Sequence, residues 1–172
     1  MGKPMTTESQ GTVKEMRVQE ALREALRYEM ARDSRVFVMG EDVALFGGAY
    51  GVTRGLLQEF GESRVLDTPI SESALVGLAV GAAINGMRPV VEIQFADLLP
   101  LAMDQLANHA ARYHYMTGGR VNVPMVVRNK FATRAGGGPS HSSCNHGAFI
   151  HFPGLKIIMP TTPADAKGLL LA

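Results

Sequence analysis

The chain has no tryptophan, a single cysteine, only 6% aromatic residues and almost no excess of either charge. Each shortage excludes something. One thiol, Cys144, rules out an intrachain disulfide and fits a reducing compartment. With 17 Lys+Arg against 16 Asp+Glu there is no basic field to draw in nucleic acid or an anionic membrane surface, so neither partner is expected. No apolar run approaches the ~18 residues of a membrane span, and Met1 to Gln10 lacks the apolar centre of a signal peptide. The simplest reading is a soluble, cytoplasmic protein. Its 172 residues, 46% of them hydrophobic, suffice for one domain with a real core. Glycine is the conspicuous excess: 19 residues, above the usual ~7%, many at the ends of predicted elements, where an α/β sheet needs tight connections.

In chain order, residues 1–17 read as a flexible N-terminal tail and 18–172 as the folded unit. Apolar residues recur at helical spacing from Val18 to about Arg32. Val36-Phe37-Val38-Met39 is a short buried strand, followed by a turn with two acids, Glu41 and Asp42. Gly47 to Gly51 is glycine-rich without the spacing of a phosphate-binding motif. A short helix between Gly55 and Gly61, a strand over Arg64–Asp67 and a helix from Ser71 to Gly86 follow. Next come a strand over Pro89–Phe95, a helix over Leu101–Tyr115 and a strand over Val123–Arg128. Residues 129–154 form a long connection with one helical turn near Asn145–Ile150, and loops of that length in a compact domain are usually functional. A last strand over Leu155–Pro160 and a helix opening at Pro163 complete the pattern, which stops inside an apolar run and reads as truncated. Alternating strands and helices imply an α/β fold, a mostly parallel sheet with helices on both faces.

Three positions invite chemistry. Glu72 falls in the first turn of an otherwise apolar helix, where an acid either complements the helix dipole or faces a cleft and binds a ligand. The helix carries Gly77 and Gly81, which suits close approach of another helix or subunit. On the strand before the Leu101 helix, Glu92 and Gln94 share a face with Val90 and need partners. In the long loop, His141, Cys144, His146 and His151 allow a zinc site or a thiol–histidine pair, although three His with one Cys in this order match no common structural zinc pattern. His141 is also a candidate general acid/base.

The ordered set Met39-Gly40-Glu41-Asp42-Val43, Gly47-Gly48, Thr53-Arg54-Gly55-Leu56, Asp67-Thr68-Pro69-Ile70-Ser71-Glu72, Gly86-Met87-Arg88-Pro89, Asp104-Gln105, Tyr115-Met116-Thr117-Gly118-Gly119, His141-Ser142, Pro153-Gly154-Leu155-Lys156 and Asp165-Ala166-Lys167-Gly168-Leu169-Leu170 resembles the β subunit of thiamine-diphosphate-dependent 2-oxoacid dehydrogenases. These are the pyruvate, branched-chain and acetoin types, and the match covers the N-terminal, pyrimidine-binding half of a transketolase-like fold. The resemblance implies that Glu72 hydrogen-bonds a ring nitrogen of the cofactor's aminopyrimidine, that Ile70 and Gln94 lie beside that ring, and that Leu98 stands where many members place an aromatic residue over it. It implies that His141 assists transfer of the acyl group to a lipoyl arm, and that a partner α subunit holds the diphosphate and its magnesium, so that no metal ligand is assigned on this chain. The implied partners are that α subunit, a second copy of the chain and the lipoyl acyltransferase of the complex. Ser143 departs from the family's Gln after His-Ser, which removes a long hydrogen-bonding side chain beside His141. The absence of the family's second domain keeps a non-catalytic fragment or interaction domain as the alternative.

Overall fold

A computed structural model describes residues 14–131 and 136–172. Residues 1–13 of the expected tail and residues 132–135 of the long connection lie outside the described residues. The elements are α1 (Val18–Arg32), β1 (Val36–Gly40), α2 (Leu56–Phe60), β2 (Val65–Asp67), α3 (Glu72–Ile84), β3 (Arg88–Phe95), α4 (Tyr113–Met116), β4 (Val126–Lys130) and α5 (Pro163–Leu171). The strands form a four-stranded sheet in the order β2-β1-β3-β4, every pairing parallel.

The pleat explains the layers. Phe37, Met39, Val91 and Ile93 point to one face, where they pack with Leu75, Val76 and Ala79 of α3 and with Leu99 and Leu106. Val36, Val38 and Val90 point to the other and pack with Leu26 and Met30 of α1 and Leu56 of α2. The strands are therefore apolar on both faces, as a covered parallel sheet requires. No helix among the described residues is long and apolar enough to cross a membrane.

Local signals account for most boundaries. The Glu20 carboxylate accepts the Arg17 N–H at 2.9 Å and closes the start of α1. At α3, Ser71 occupies the capping position but its hydroxyl makes no cap bond; the helix starts on the Leu75 N–H to Ser71 carbonyl bond at 2.8 Å. It ends at Gly86, whose φ of +91° turns the chain while the Met87 N–H bonds the Ala82 carbonyl at 3.0 Å. The Thr162 hydroxyl accepts the Asp165 N–H at 3.1 Å and Pro163 fills the first turn of α5.

Two expectations are corrected. The helix expected over Leu101–Tyr115 is broken into a 3₁₀ turn at Ala96–Ala102 containing Pro100, a π turn at Gln105–Ala110 and α4. Pro100 cannot donate, and the π register, with the Ala111 N–H on the Leu106 carbonyl at 2.9 Å, buries Leu106, Ala107 and Ala111 and leaves Leu101 exposed. The strand expected over Leu155–Pro160 does not join the sheet: it pairs with no strand among the described residues, and Ile157, Ile158 and Met159 are exposed there.

Two glycines and one carboxylate yield tests. Gly154 has φ +105°, and an added Cβ would collide with the Ala111 carbonyl oxygen, whereas a Cβ at Gly81 meets nothing within 4 Å. Urea denaturation should find Gly154→Ala destabilised by about 2–4 kcal/mol and Gly81→Ala stabilised by up to about 1 kcal/mol. Glu24, hydrogen-bonded by Lys14 at 2.7 Å and by Lys167 of α5 at 2.8 Å, has its carboxyl lowered from 4.5 to about 2 by those bonds. Its folded pKa is depressed, so the stability it contributes is complete above about 4.5 and is lost as pH falls towards about 2. Thermal midpoints followed across that window should fall less steeply in Glu24→Gln than in the parent chain.

Candidate functional site

In a parallel sheet all strands deliver their C-terminal ends to one edge, and a crevice opens where the order reverses. Here β1 leads outward to β2 while β3 leads the other way to β4, so the crevice lies between the ends of β1 and β3. The β1 end supplies Glu41, the turn after β2 supplies Ile70 and Glu72, the β3 end supplies Gln94, Phe95 and Asp97, and the loop after β4 supplies His141.

Glu72, the first residue of α3, is 6% exposed, and no hydrogen bond or ion pair within the described residues engages its carboxylate. A carboxylate so buried normally finds a partner. Instead it faces a second acid: Glu41 has its carboxyl pushed up, first by burial, then by the charge of Glu72 and that of Asp42. A carboxyl in such a crevice can hydrogen-bond a ring nitrogen or similar group of a ligand.

The loop around Glu41 is held from several sides. The Asp67 carboxylate accepts the Ala44 N–H at 2.6 Å and the Leu45 N–H at 3.4 Å, and the buried Thr53 hydroxyl donates to the Val43 carbonyl at 2.7 Å. Gly47, Gly48 and Gly51 all have positive φ, which lets this loop fold back over the sheet edge.

His141 ends a short 3₁₀ turn, Pro139–His141, and is exposed. Its ring stands edge-on to Phe95, centroids 4.6 Å apart, and its Nδ1 shares a hydrogen bond with the Ser140 hydroxyl at 2.9 Å. The rest of the loop is tied to the segment after β3. The Asp97 carboxylate accepts the Ser143 N–H at 3.2 and 3.3 Å, and the Asn145 amide donates to the Ala96 carbonyl at 3.0 Å. Hydrogen bonding from the Ser143 hydroxyl first, and then from its N–H, holds the Asp97 carboxyl below its ordinary range, with a smaller contribution from the charge of His141.

The remaining positions separate. Gln94 is half-buried next to Phe95. Leu98 is half-buried and packs against the core cluster that holds the buried face of α3. Ile70, in the turn between β2 and α3, is 81% exposed. Of the histidine-rich pattern, Cys144 Sγ and His146 Nδ1 meet at 3.1 Å, but no group of three His, Cys, Asp or Glu side chains among the described residues converges to hold a metal ion. The zinc alternative therefore has no ligand set there. Sequence reasoning did not single out Phe95 and Asp97; their signal was their place directly after Gln94 at a strand's C-terminal end.

Comparison with known proteins identifies the family and the fold. Residues 14–172 match the family model "Transketolase, pyrimidine binding domain". The chain is 50% identical over 157 residues to the pyruvate dehydrogenase E1 component subunit beta of Rhizobium meliloti, covering 91% of this chain and 34% of that protein. It is 48% identical over 153 residues to the 2-oxoisovalerate dehydrogenase subunit beta of Bacillus subtilis, covering 89% and 47% respectively. A mitochondrial pyruvate dehydrogenase E1 subunit beta-2 of Oryza sativa subsp. japonica matches at 47% over 159 residues, 92% of this chain and 42% of that one. The chain thus spans about a third to a half of the length of these curated relatives. Among solved structures, one described as a split gene transketolase, inactive beta4 tetramer, superposes with a TM-score of 0.67 at 19% identity, covering 89% of this chain and 46% of that one, a likeness of fold.

If Asp97 anchors the His141 loop, Asp97→Ala should speed hydrogen exchange at the Ser143 amide while leaving the amides of β1 and β3 protected. Equal exchange in the two proteins would show that the loop is held by other means.

Proposed function

The chain belongs to the transketolase pyrimidine-binding-domain family, and on that premise we propose that residues 18–172 form the pyrimidine-binding part of the β subunit of a thiamine-diphosphate-dependent 2-oxoacid dehydrogenase, of the pyruvate type. The observation that carries this reading is Glu72: a carboxyl on a buried residue, without a partner among the described residues, at the C-terminal edge of a parallel sheet. It fits the aminopyrimidine of thiamine diphosphate, whose ring nitrogen would supply the partner the fold leaves out.

Thiamine diphosphate, when bound, supplies the carbanion chemistry of decarboxylation. Glu72 binds and orients the pyrimidine ring through its carboxyl group, with the acid Glu41 beside it in the same crevice. Gln94 borders the same ring, and Leu98 closes the crevice from the core side. His141, held against Phe95, moves a proton at its imidazole as the acyl group passes to a lipoyl arm.

The diphosphate and magnesium belong in this reading to an α subunit. Ile70, Leu45 and Phe46, exposed on the crevice rim, are offered to it. The exposed Ala74, Leu78 and Gly81 of α3 are offered to a second copy. The lipoyl acyltransferase is the acceptor side of the complex.

In the assembly with an α subunit, Glu72→Gln should keep its circular dichroism spectrum and lose at least about a hundredfold in 2-oxoacid decarboxylation, the range for removal of an acid–base group. Undiminished turnover would overturn the assignment. Failure of the parent chain to bind cofactor with any α subunit would favour an interaction domain instead.

A further inference from the structure

Glu92 and Arg128 are register partners on β3 and β4, and the Arg128 guanidinium bonds the Glu92 carboxylate. Glu92 is 2% exposed. The Arg128 side chain is 15% exposed, and its Nε has no hydrogen-bond partner among the described residues. A buried ion pair gives back much of its attraction as desolvation, and two apolar residues of similar volume would join these strands at least as firmly. Stability alone leaves the pair unexplained.

Its geometry points towards the site. The Glu92 carboxylate is wedged against the glycine loop: a Cβ at Gly48 would lie 3.0 and 3.2 Å from its two oxygens and 3.2 Å from the Thr53 hydroxyl. Gly40 makes the same accommodation, since its missing Cβ would lie 2.7 Å from the Glu92 carbonyl oxygen. Three short paths then lead from the pair to one stack of rings. Tyr50 follows Gly48 by two positions and meets Phe95 edge-on, centroids 6.1 Å apart. Phe95 follows Glu92 by three positions and meets His141 at 4.6 Å. Lys130 follows Arg128 by two and sets its ammonium 5.8 Å from the centre of the Tyr50 ring.

We propose that Glu92 and Arg128 are positioning residues: the pair clamps the Gly48–Tyr50 arm of the loop, the arm and β3 together fix the Phe95 ring, and that ring fixes the imidazole of His141. Neither residue touches reacting atoms. The structural claim concerns the His141 ring alone; its kinetic consequence rests on the role given to His141 above.

The test uses the full chain together with an α subunit, with histidine labelled at ring carbon for NMR; His141→Gln identifies the resonance among the five histidines. Phe95→Leu sets the scale, removing the ring-current shift at His141. The double variant Glu92→Leu/Arg128→Met, which leaves no unpaired charge, should move the His141 resonance by more than half of that amount. It should slow acyl transfer to lipoyl about tenfold or more at unchanged cofactor affinity. Met30→Ala, a large-to-small change in the core beneath α1, should leave the resonance in place. If the double variant does not fold, Tyr50→Leu and Gly48→Ala take its place with the same expectation. An unmoved His141 resonance in any folded member of this set overturns the proposal. A moved resonance with an unchanged rate upholds the positioning and overturns the role of His141.

Discussion

Parallel pairing is the constraint on which the rest depends. Because β1 to β4 all run the same way, each must return to the opposite edge before the next strand begins, and each leaves its C-terminal end at a common edge. Glu41, Glu72, Phe95 and His141 all lie at or just beyond that edge although they come from four different segments of the chain. The apolar faces that bind the strands to α1 and α3 make this edge rigid, so side chains set on the strand ends inherit their precision from the two cores.

The helix α3 carries that constraint furthest. Its buried face, from Leu75 to Ala83, anchors it to the sheet, and this places Glu72, its first residue, in the crevice with little freedom to move. The same helix leaves Leu78, Gly81 and Ile84 uncovered on its outer face. Gly77 is different: its missing Cβ lets Gln105 of the π turn come within 3.3 Å of where that atom would stand. Thus one glycine is needed for packing within the chain, while the other is free for a neighbour. Local helix stability is sacrificed at both positions.

The legible parts of the fold are those encoded by near neighbours. The span of α1, its closure by Glu20 and the stop of α3 at Gly86 follow from residues within one turn of each boundary. Leu155–Pro160 has the composition of a strand, but a ladder needs a partner, and nothing local says whether one is there. The helix at 96–116 is interrupted at Pro100 and by the π register of Gln105–Ala110, and that register depends on which side chains the core takes in. The site divides in the same way. Glu72 could be named from its motif, yet its burial without a partner could not, since an acid in a first turn looks the same whether it faces solvent or a cleft. The contact of Asp97 with Ser143 spans 46 residues and has no local sign at all.

That contact bears on the departure at Ser143. A shorter side chain at this position removes a long hydrogen-bonding group beside His141, and from sequence alone this weakens the histidine's orientation. The structure holds the loop differently: the main-chain N–H of residue 143 reaches Asp97, and any residue except proline supplies that donor. The Ser143 hydroxyl also donates to the Pro139 carbonyl at 3.4 Å, on the turn that carries His141, while the ring itself meets Phe95 and Ser140. Orientation of His141 therefore comes from the end of β3, from the loop's backbone and from a short local tie by Ser143, so the substitution changes what a ligand meets beside the histidine as well as how the turn is held.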